Sequence, residues 1–289
     1  MSEKRIVAID SQKLSALQSC MYAYGLQFGK NGGPGYTPLQ TPDYFERGDL
    51  IHTMMAEYYS LRRFRSRWQQ NGKTHADIVQ SCITAGRHKA VKMELDIADV
   101  EESVHVFLQY TDFWENDGWD QVVGVEQVGA KVLYDSEDLL ILYESKIDLM
   151  IKLDNYPVLP IDHKTTKSHR APNELADQFK GYAWTLNCNN LLVNEVGFQK
   201  TKKPHEKFQR HLLSFPQDII NEWVENSVWW VRHGLSLMDA GIYPHNYTSC
   251  DKFSGCIYKD LCTAERAVRD YKLHVGFKER TWDVGKEHL

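Results

Sequence analysis

Leu14, Leu17, Met21 and Tyr24 recur at helical spacing behind a polar start at Asp10 or Ser11, and predict an amphipathic helix over residues 11–28. The run NGGPGYTP, from Asn31 to Pro38, breaks it. Leu50, Met54, Tyr58 and Leu61 then share one face of a long helix from about Pro42 to Trp68, and two further helices are expected from His75 to Leu95 and from Ile97 to Asn116. Beyond Gln121 the pattern turns to strands: VVGVEQVGAKVLY, LLILYESKIDLMIKL and YPVLPIDHKTT, separated by Asp135–Asp138 and by Asp154-Asn155, read as a meander ending near Thr165. A helix near 172–187, strands near 192–200 and 208–215 and a helix near 217–240 follow, and the polar tail beyond Ala267 is expected to be loosely ordered. Helices first, a mixed sheet in the middle, then helices and a cysteine loop suggest one α/β core with a helical insertion.

The 289 residues, 42% of them hydrophobic, suffice for a full core. The start, MSEKRIVAIDSQ, lacks the apolar segment of an export signal, and no run of about 18 apolar residues occurs, so a cytoplasmic protein with no membrane partner is expected, in the host cytoplasm if the chain is viral. The net charge of −5 argues against general electrostatic coating of nucleic acid, though it leaves room for a local basic groove. Without an export signal, disulfides are not expected among Cys20, Cys82, Cys188, Cys250, Cys256 and Cys262.

The chemistry concentrates between Ile147 and Lys164. Residues i and i+2 of a strand share a face, so Asp162 and Lys164 project together, and one hairpin brings Asp148 alongside. Carboxylates among apolar strand residues are costly unless a cation joins them. Two carboxylates suit Mg²⁺ or Mn²⁺, and a lysine beside them suits the charge that develops as a phosphodiester is hydrolysed. Glu126, just after the apolar Val122–Val125 run, is either a further ligand or an outward-facing strand residue. Gln178 and Tyr182 share a helix face and could meet phosphate or DNA. Arg62, Arg63, Arg65 and Arg67 form a dense basic run suited to a phosphate backbone, as do Lys200, Lys202, Lys203, Lys207 and Arg210. Trp223, Trp229 and Trp230 read as core.

In order and spacing these pieces resemble the RecB-like branch of the PD-(D/E)XK nucleases, which includes AddB-type nuclease domains and CRISPR-associated RecB-family exonucleases. The resemblance rests on Ser11 to Cys20, Gly48-x-x-x-His52, Glu126, Ile147-Asp148, Ile161-Asp162-x-Lys164-Thr165, Gln178-x-x-x-Tyr182 and a C-terminal cysteine group, and covers nearly the whole chain. It implies a restriction-endonuclease-like mixed sheet flanked by helices (core 120–215), a helical cap (42–116) and a cysteine-bound region (11–28 with 245–266). His52, Asp148, Asp162 and the His163 carbonyl would hold Mg²⁺ or Mn²⁺, Lys164 would be catalytic, and Gln178 and Tyr182 would face DNA.

The same resemblance implies an iron–sulfur cluster (4Fe–4S) on Cys20, Cys250, Cys256 and Cys262, with zinc on the same thiolates as the alternative. The family commonly has C-x2-C-x5-C at its C-terminal end. Here Cys256 and Cys262 keep the second interval, but Cys250 stands further away. Cys82 and Cys188 are left as buried apolar residues. The activity implied is exonucleolytic cleavage of DNA ends, single-stranded ones foremost, in recombination, repair, viral DNA processing or CRISPR adaptation. The alternatives are a catalytically weak DNA-binding scaffold subunit and a structure-specific endonuclease. No phosphate-binding G-x-x-x-x-G-K-[ST] occurs, so unwinding would fall to a helicase partner, and a recombinase or an integrase-type protein are further candidate partners.

Overall fold

The computed structural model describes residues 4–30, 33–39, 43–119, 121–167, 172–251 and 255–284, with the side chains of 43–45, 65 and 67 outside that description. In chain order the elements are β1 (Arg5–Ile9), α1 (Ser11–Ser19), α2 (Met21–Phe28), β2 (Gly35–Pro38), α3 (Asp43–Arg62), α4 (Arg65–Gln70), α5 (His75–Met93), α6 (Ile97–Phe113), β3 (Val122–Asp135), β4 (Leu139–Leu153), β5 (Tyr156–Thr166), α7 (Asp177–Leu186), β6 (Asn190–Gly197), α8 (Pro204–Lys207), β7 (Phe208–Ser214), α9 (Gln217–Asp239), α10 (Lys259–Cys262), α11 (Arg266–Gly276) and β8 (Phe277–Arg280). This is a mixed α/β fold whose mixed sheet is flanked by helices, the restriction-endonuclease-like arrangement. Among the described residues no helix is long and apolar enough to cross a membrane.

Contacts divide the chain into two compact units. One comprises residues 1–41, 130–145 and 217–289, and the other 42–129 and 146–216. The expected helical cap lies in the second unit together with most of the expected sheet core, while residues 130–145 cluster with the first.

In the second unit the end of β4 runs antiparallel to β5, β5 runs parallel to β6, and β6 antiparallel to β7. Helices α3, α5 and α6 pack together beside these strands through Leu50, Met54, Met55, Tyr58, Tyr59 and Phe107, all essentially buried against Leu149, Ile151 and Ile161. Each such side chain stabilises the fold by about 1.5–3 kcal/mol relative to exposure. Helix α5 begins where Thr74 and Asp77 form a reciprocal capping box, which satisfies first-turn N–H groups. Along β4 the alternating buried residues Ile141, Tyr143, Ser145, Ile147, Leu149 and Ile151 follow the strand period, and Asp148 is the carboxylate that breaks it.

In the first unit β1 lies parallel to residues 139–143 of β4, and α1 packs on α9. The long helix expected over 11–28 is interrupted, because Cys20 adopts an extended backbone (φ −163°, ψ 111°) between α1 and α2. Asp10 caps α1 by accepting from the N–H groups of Gln12 and Lys13, and also accepts Trp282 Nε1 at 2.6 Å. The stretch 31–38 is not wholly loop, and residues 266–280 of the tail are regular structure: β2 pairs antiparallel with β8, and α11 precedes it. Trp223 is buried against Tyr143 as expected of a core residue, whereas Trp229 is 57% exposed.

Candidate active site

The sequence places a glycine one helical turn before His52, and the fold shows why. An added Cβ at Gly48 would meet Thr165 Oγ1 at 3.0 Å, so its absence lets α3 lie against the end of β5. His52 then reaches β4, with Nδ1 3.6 Å from Asp148 Oδ2. Glu126 joins them from β3, and one ligand atom each of His52, Glu126 and Asp148 falls within a mutual 4.8 Å. Glu126 takes φ +51°, left-handed for a non-glycine strand residue. Such a conformation costs about 1–3 kcal/mol and persists where the surroundings impose it. Its carboxylate also contacts Lys146 Nζ.

Asp148 is 8% exposed, and its Oδ2 accepts the main-chain N–H of His163 at 2.8 Å. Burial, then the Asp162 and Glu126 carboxylates, push Asp148 up to about 8, against the opposing pull of Lys164 and the His163 N–H. Ionising these carboxylates together in a buried place is therefore costly without a cation, and the donor set fits a hard divalent ion.

Asp162 is 1% exposed, and its Oδ2 lies 2.9 Å from Lys164 Nζ, as the i, i+2 register requires. Lys164 also donates to Gln178 Oε1 at 2.9 Å. Gln178 in turn donates through Nε2 to the Tyr182 hydroxyl at 2.8 Å, and that hydroxyl donates to the Lys146 carbonyl at 2.7 Å. The ammonium is thus held at a fixed point while its side chain stays 42% exposed.

His163, between the two charged residues, is buried. Its ring stacks on Tyr59 (5.7 Å, 13°), and Nδ1 lies 2.9 Å from Asn194 Nδ2. Burial, then His52, Arg210 and Lys164, hold this imidazole well below its usual value, so it stays neutral. Asn194 Oδ1 accepts Arg210 Nε at 3.3 Å, and Arg210 pairs with Asp117 at 2.7 Å. The guanidinium of Arg210 is sandwiched between Trp114 and Trp119, at 3.6 and 3.4 Å from the ring centres.

Three sequence expectations are corrected here. Arg62 is 3% exposed and pairs with Asp117 at 2.9 Å, so it belongs to a buried Arg–Asp–Arg group and not to a DNA-facing surface. Tyr182 is also buried, and its hydroxyl supports Gln178 and the Lys146 carbonyl, so it is not placed to touch DNA. Of the second basic run, Lys207 and Arg210 are likewise turned inward, Lys207 donating to Gln109 at 2.8 Å. Arg63 is exposed, and the Arg65 and Arg67 side chains lie outside the described residues. Lys146 was missed by sequence reasoning. The signal was there: Lys146 stands two residues before Asp148, the mirror image of Asp162 and Lys164.

The four cysteines expected to act together all lie in the first unit. Burial, then the neighbouring Cys256, Cys20 and Cys250 thiols, raise Cys262 above its usual range, and Cys256 is raised by burial and by Cys250 and Cys20. Asn246 N–H lies 3.3 Å from Cys20 Sγ, tying the break between α1 and α2 to the C-terminal loop. Cys82 is fully buried in the core of the second unit, and Cys188 is half-buried.

The chain belongs to the PD-(D/E)XK nuclease superfamily, whose sequence profile matches residues 11–263. No curated protein sequence matches it significantly. Among solved structures it is similar to an exonuclease candidate from Eubacterium rectale (6% identity, 84% of this chain and 86% of that one, TM-score 0.49). It is also similar to SSO0001 (11%, 78% and 98%, TM-score 0.37) and to LHK-Exo in complex with dAMP (7%, 69% and 95%, TM-score 0.34).

Proposed function

We propose that this chain is a metal-dependent DNA exonuclease of the RecB-like branch, acting on single-stranded ends. The carrying observation is the buried Asp148 beside Asp162, Glu126 and His52, with a located ammonium, Lys164, at its edge. His52, Asp148, Asp162 and the His163 carbonyl would hold Mg²⁺ or Mn²⁺, with Glu126 as a further ligand. The ion would neutralise these carboxylates, polarise the scissile phosphate and acidify the attacking water. The chain's own groups do the rest. Lys164, held by Asp162 and Gln178, donates to the phosphate oxygen on which charge develops. Tyr182 fixes Gln178 and so fixes the ammonium. Water adds to phosphorus, the P–O bond to the neighbouring sugar breaks, and the products are a phosphate monoester and a hydroxyl. Arg63, with Arg65 and Arg67, is proposed to guide the strand, and the half-buried Gln178 to lie on the DNA side of Lys164 while holding it.

Cys20, Cys250, Cys256 and Cys262 are proposed to hold an iron–sulfur cluster, with zinc as the alternative. Their common place in one compact unit, with the Cys256 N–H donating to the Cys250 carbonyl at 2.7 Å, is what supports this reading. The exonuclease reading is tested with end-labelled linear and closed circular single-stranded DNA in Mn²⁺. Release of mononucleotides or short products from the linear strand, with the circle intact, is expected. Cutting of the circle would instead make the protein an endonuclease, and no cutting of either would overturn the reading.

A further inference from the structure

A second feature lies wholly within the first unit. A cavity of about 290 Å³ opens between α2, β2, α10 and α11, lined by Tyr22, Lys30, Tyr36, Leu261, Arg269 and Leu273 among others. That volume is at the lower end for small-ligand sites, and suits one nucleotide unit and not a duplex. Beside it runs a ladder of flat rings. Tyr22 stacks on His245 at 3.9 Å, and His245 stacks on Tyr247 at 5.4 Å and 8°. Tyr247 is 65% exposed, so the ladder ends on a ring open to solvent.

Cations surround this ladder. Lys30 Nζ lies 4.0 Å from the Tyr22 ring centre and 5.4 Å from that of Tyr243. Among the described residues it has no carboxylate within ion-pair distance. Gly25 makes room for it, since an added Cβ would meet Tyr243 at 2.7 Å and Lys30 Cγ at 2.9 Å. Arg269 is anchored by donating to the Cys262 and Ala264 carbonyls, each at 3.0 Å. Partial burial, then Arg269, Lys30 and Arg266, hold His245 below its usual value, so the middle ring stays neutral and free to stack. Asp270 is the acidic residue on the cavity wall. In a chain of net charge −5, three cations around an open aromatic ladder make a local site for a polyanion with flat bases.

We propose that the Tyr22–His245–Tyr247 ladder and the adjoining Lys30–Arg269 cavity form a contact for single-stranded DNA, with a base stacked on Tyr247 and a phosphate drawn to Lys30 and Arg269. The inference rests on the reading of the chain as a DNA-processing nuclease, and adds a strand contact outside the carboxylate site. Bases stack on aromatic side chains without regard to sequence, and phosphates supply the salt-dependent part of the affinity. A base on Tyr247 would extend the ladder by one more plane. Asn246, between His245 and Tyr247 in the chain, also donates from its side chain to the Ser19 carbonyl at 2.8 Å, which holds the ladder to the end of α1.

The test is fluorescence anisotropy of a fluorescein-labelled oligothymidylate with the intact, metal-replete protein, in Ca²⁺ to limit turnover, alongside cleavage of the same strand in Mn²⁺. Tyr247→Ala is expected to weaken binding by about fivefold or more, Tyr247→Phe to bind as the parent does, and Lys30→Gln to weaken binding and reduce the salt slope by about one. Thermal unfolding of each variant checks that it is folded. If the parent binds and cleaves while Tyr247→Ala and Lys30→Gln bind equally well, this contact is wrong and the nuclease reading stands. If the parent neither binds nor cleaves, both fall together.

Discussion

The main-chain N–H of His163 points at Asp148 Oδ2, 2.8 Å away, so the strand that carries Asp162 and Lys164 is tied directly to the carboxylate opposite. With the β4–β5 ladder, this hydrogen bond holds the acidic groups of the two strands together. The Asn194 amide holds the His163 ring from behind.

Asn194→Leu should loosen this arrangement. It removes the partner of the His163 ring and the acceptor of Arg210, and changes of this kind behind a metal site lower metal affinity or activity by about 10–100-fold. Calorimetric titration with Mn²⁺ and cleavage rates would show the loss, and Asn194→Asp would show how much a retained acceptor toward Arg210 restores.

The raised Asp148 carboxyl makes the metal-free protein sensitive to pH. Its folded value, about 8, lies above the ordinary aspartate value of about 3.9. The folded state therefore binds more protons than the unfolded one across that interval, and stability falls as pH rises through it. A bound divalent ion relieves the repulsion of the ionised form. The increase in Tm produced by saturating Mn²⁺ should accordingly be larger at pH 8 than at pH 6, and Asp148→Asn should flatten the pH dependence of the metal-free protein. An ion-induced shift independent of pH would contradict the charge argument.

Arg62→Ala should behave as a stability mutation. It leaves Asp117 with one of its two arginine partners, and breaking a buried ion pair costs about 3–5 kcal/mol. Thermal unfolding should move well down, whereas Arg63→Ala should leave Tm near the parent value and weaken DNA binding.

Much of this site is legible in the sequence. Asp162 and Lys164 share a face because a strand alternates, Asp148 is one hairpin away, and Gly48 followed by His52 is a helix turn that must pack closely. The apolar periods also locate α3, α5, α6, β4, β5 and α9. What is not legible depends on long-range pairing. Arg62 and Arg210 look like a DNA-binding surface until Asp117 is seen between them, and their sequence separation hides that group. Tyr182 reads as a strand contact until its hydroxyl is found on the Lys146 carbonyl. The short strands β2 and β8 carry weak apolar patterns and form because they pair with each other, so the tail is folded at least over residues 266–280, while β1 is a short apolar run, RIVAI, that pairs with β4. The left-handed backbone of Glu126 leaves no mark in composition.

The cysteine proposal predicts colour and metal together. Anaerobically purified protein should be brown, with iron and acid-labile sulfide, and Cys20→Ser or Cys262→Ser should lose both and unfold at a lower temperature. Cys188→Ser should keep them. Colourless protein with one zinc per chain would favour the zinc alternative.

The central claim is that Lys164, located by Asp162 and Gln178, serves a metal-dependent phosphodiester cleavage. Its most direct measurement compares the parent and Lys164→Ala on end-labelled linear single-stranded DNA in Mn²⁺, with and without EDTA. The account predicts cleavage by the parent that EDTA abolishes, and at least about a 10²-fold loss in Lys164→Ala with strand binding retained. Full activity in Lys164→Ala, or cleavage that persists in EDTA, would contradict it.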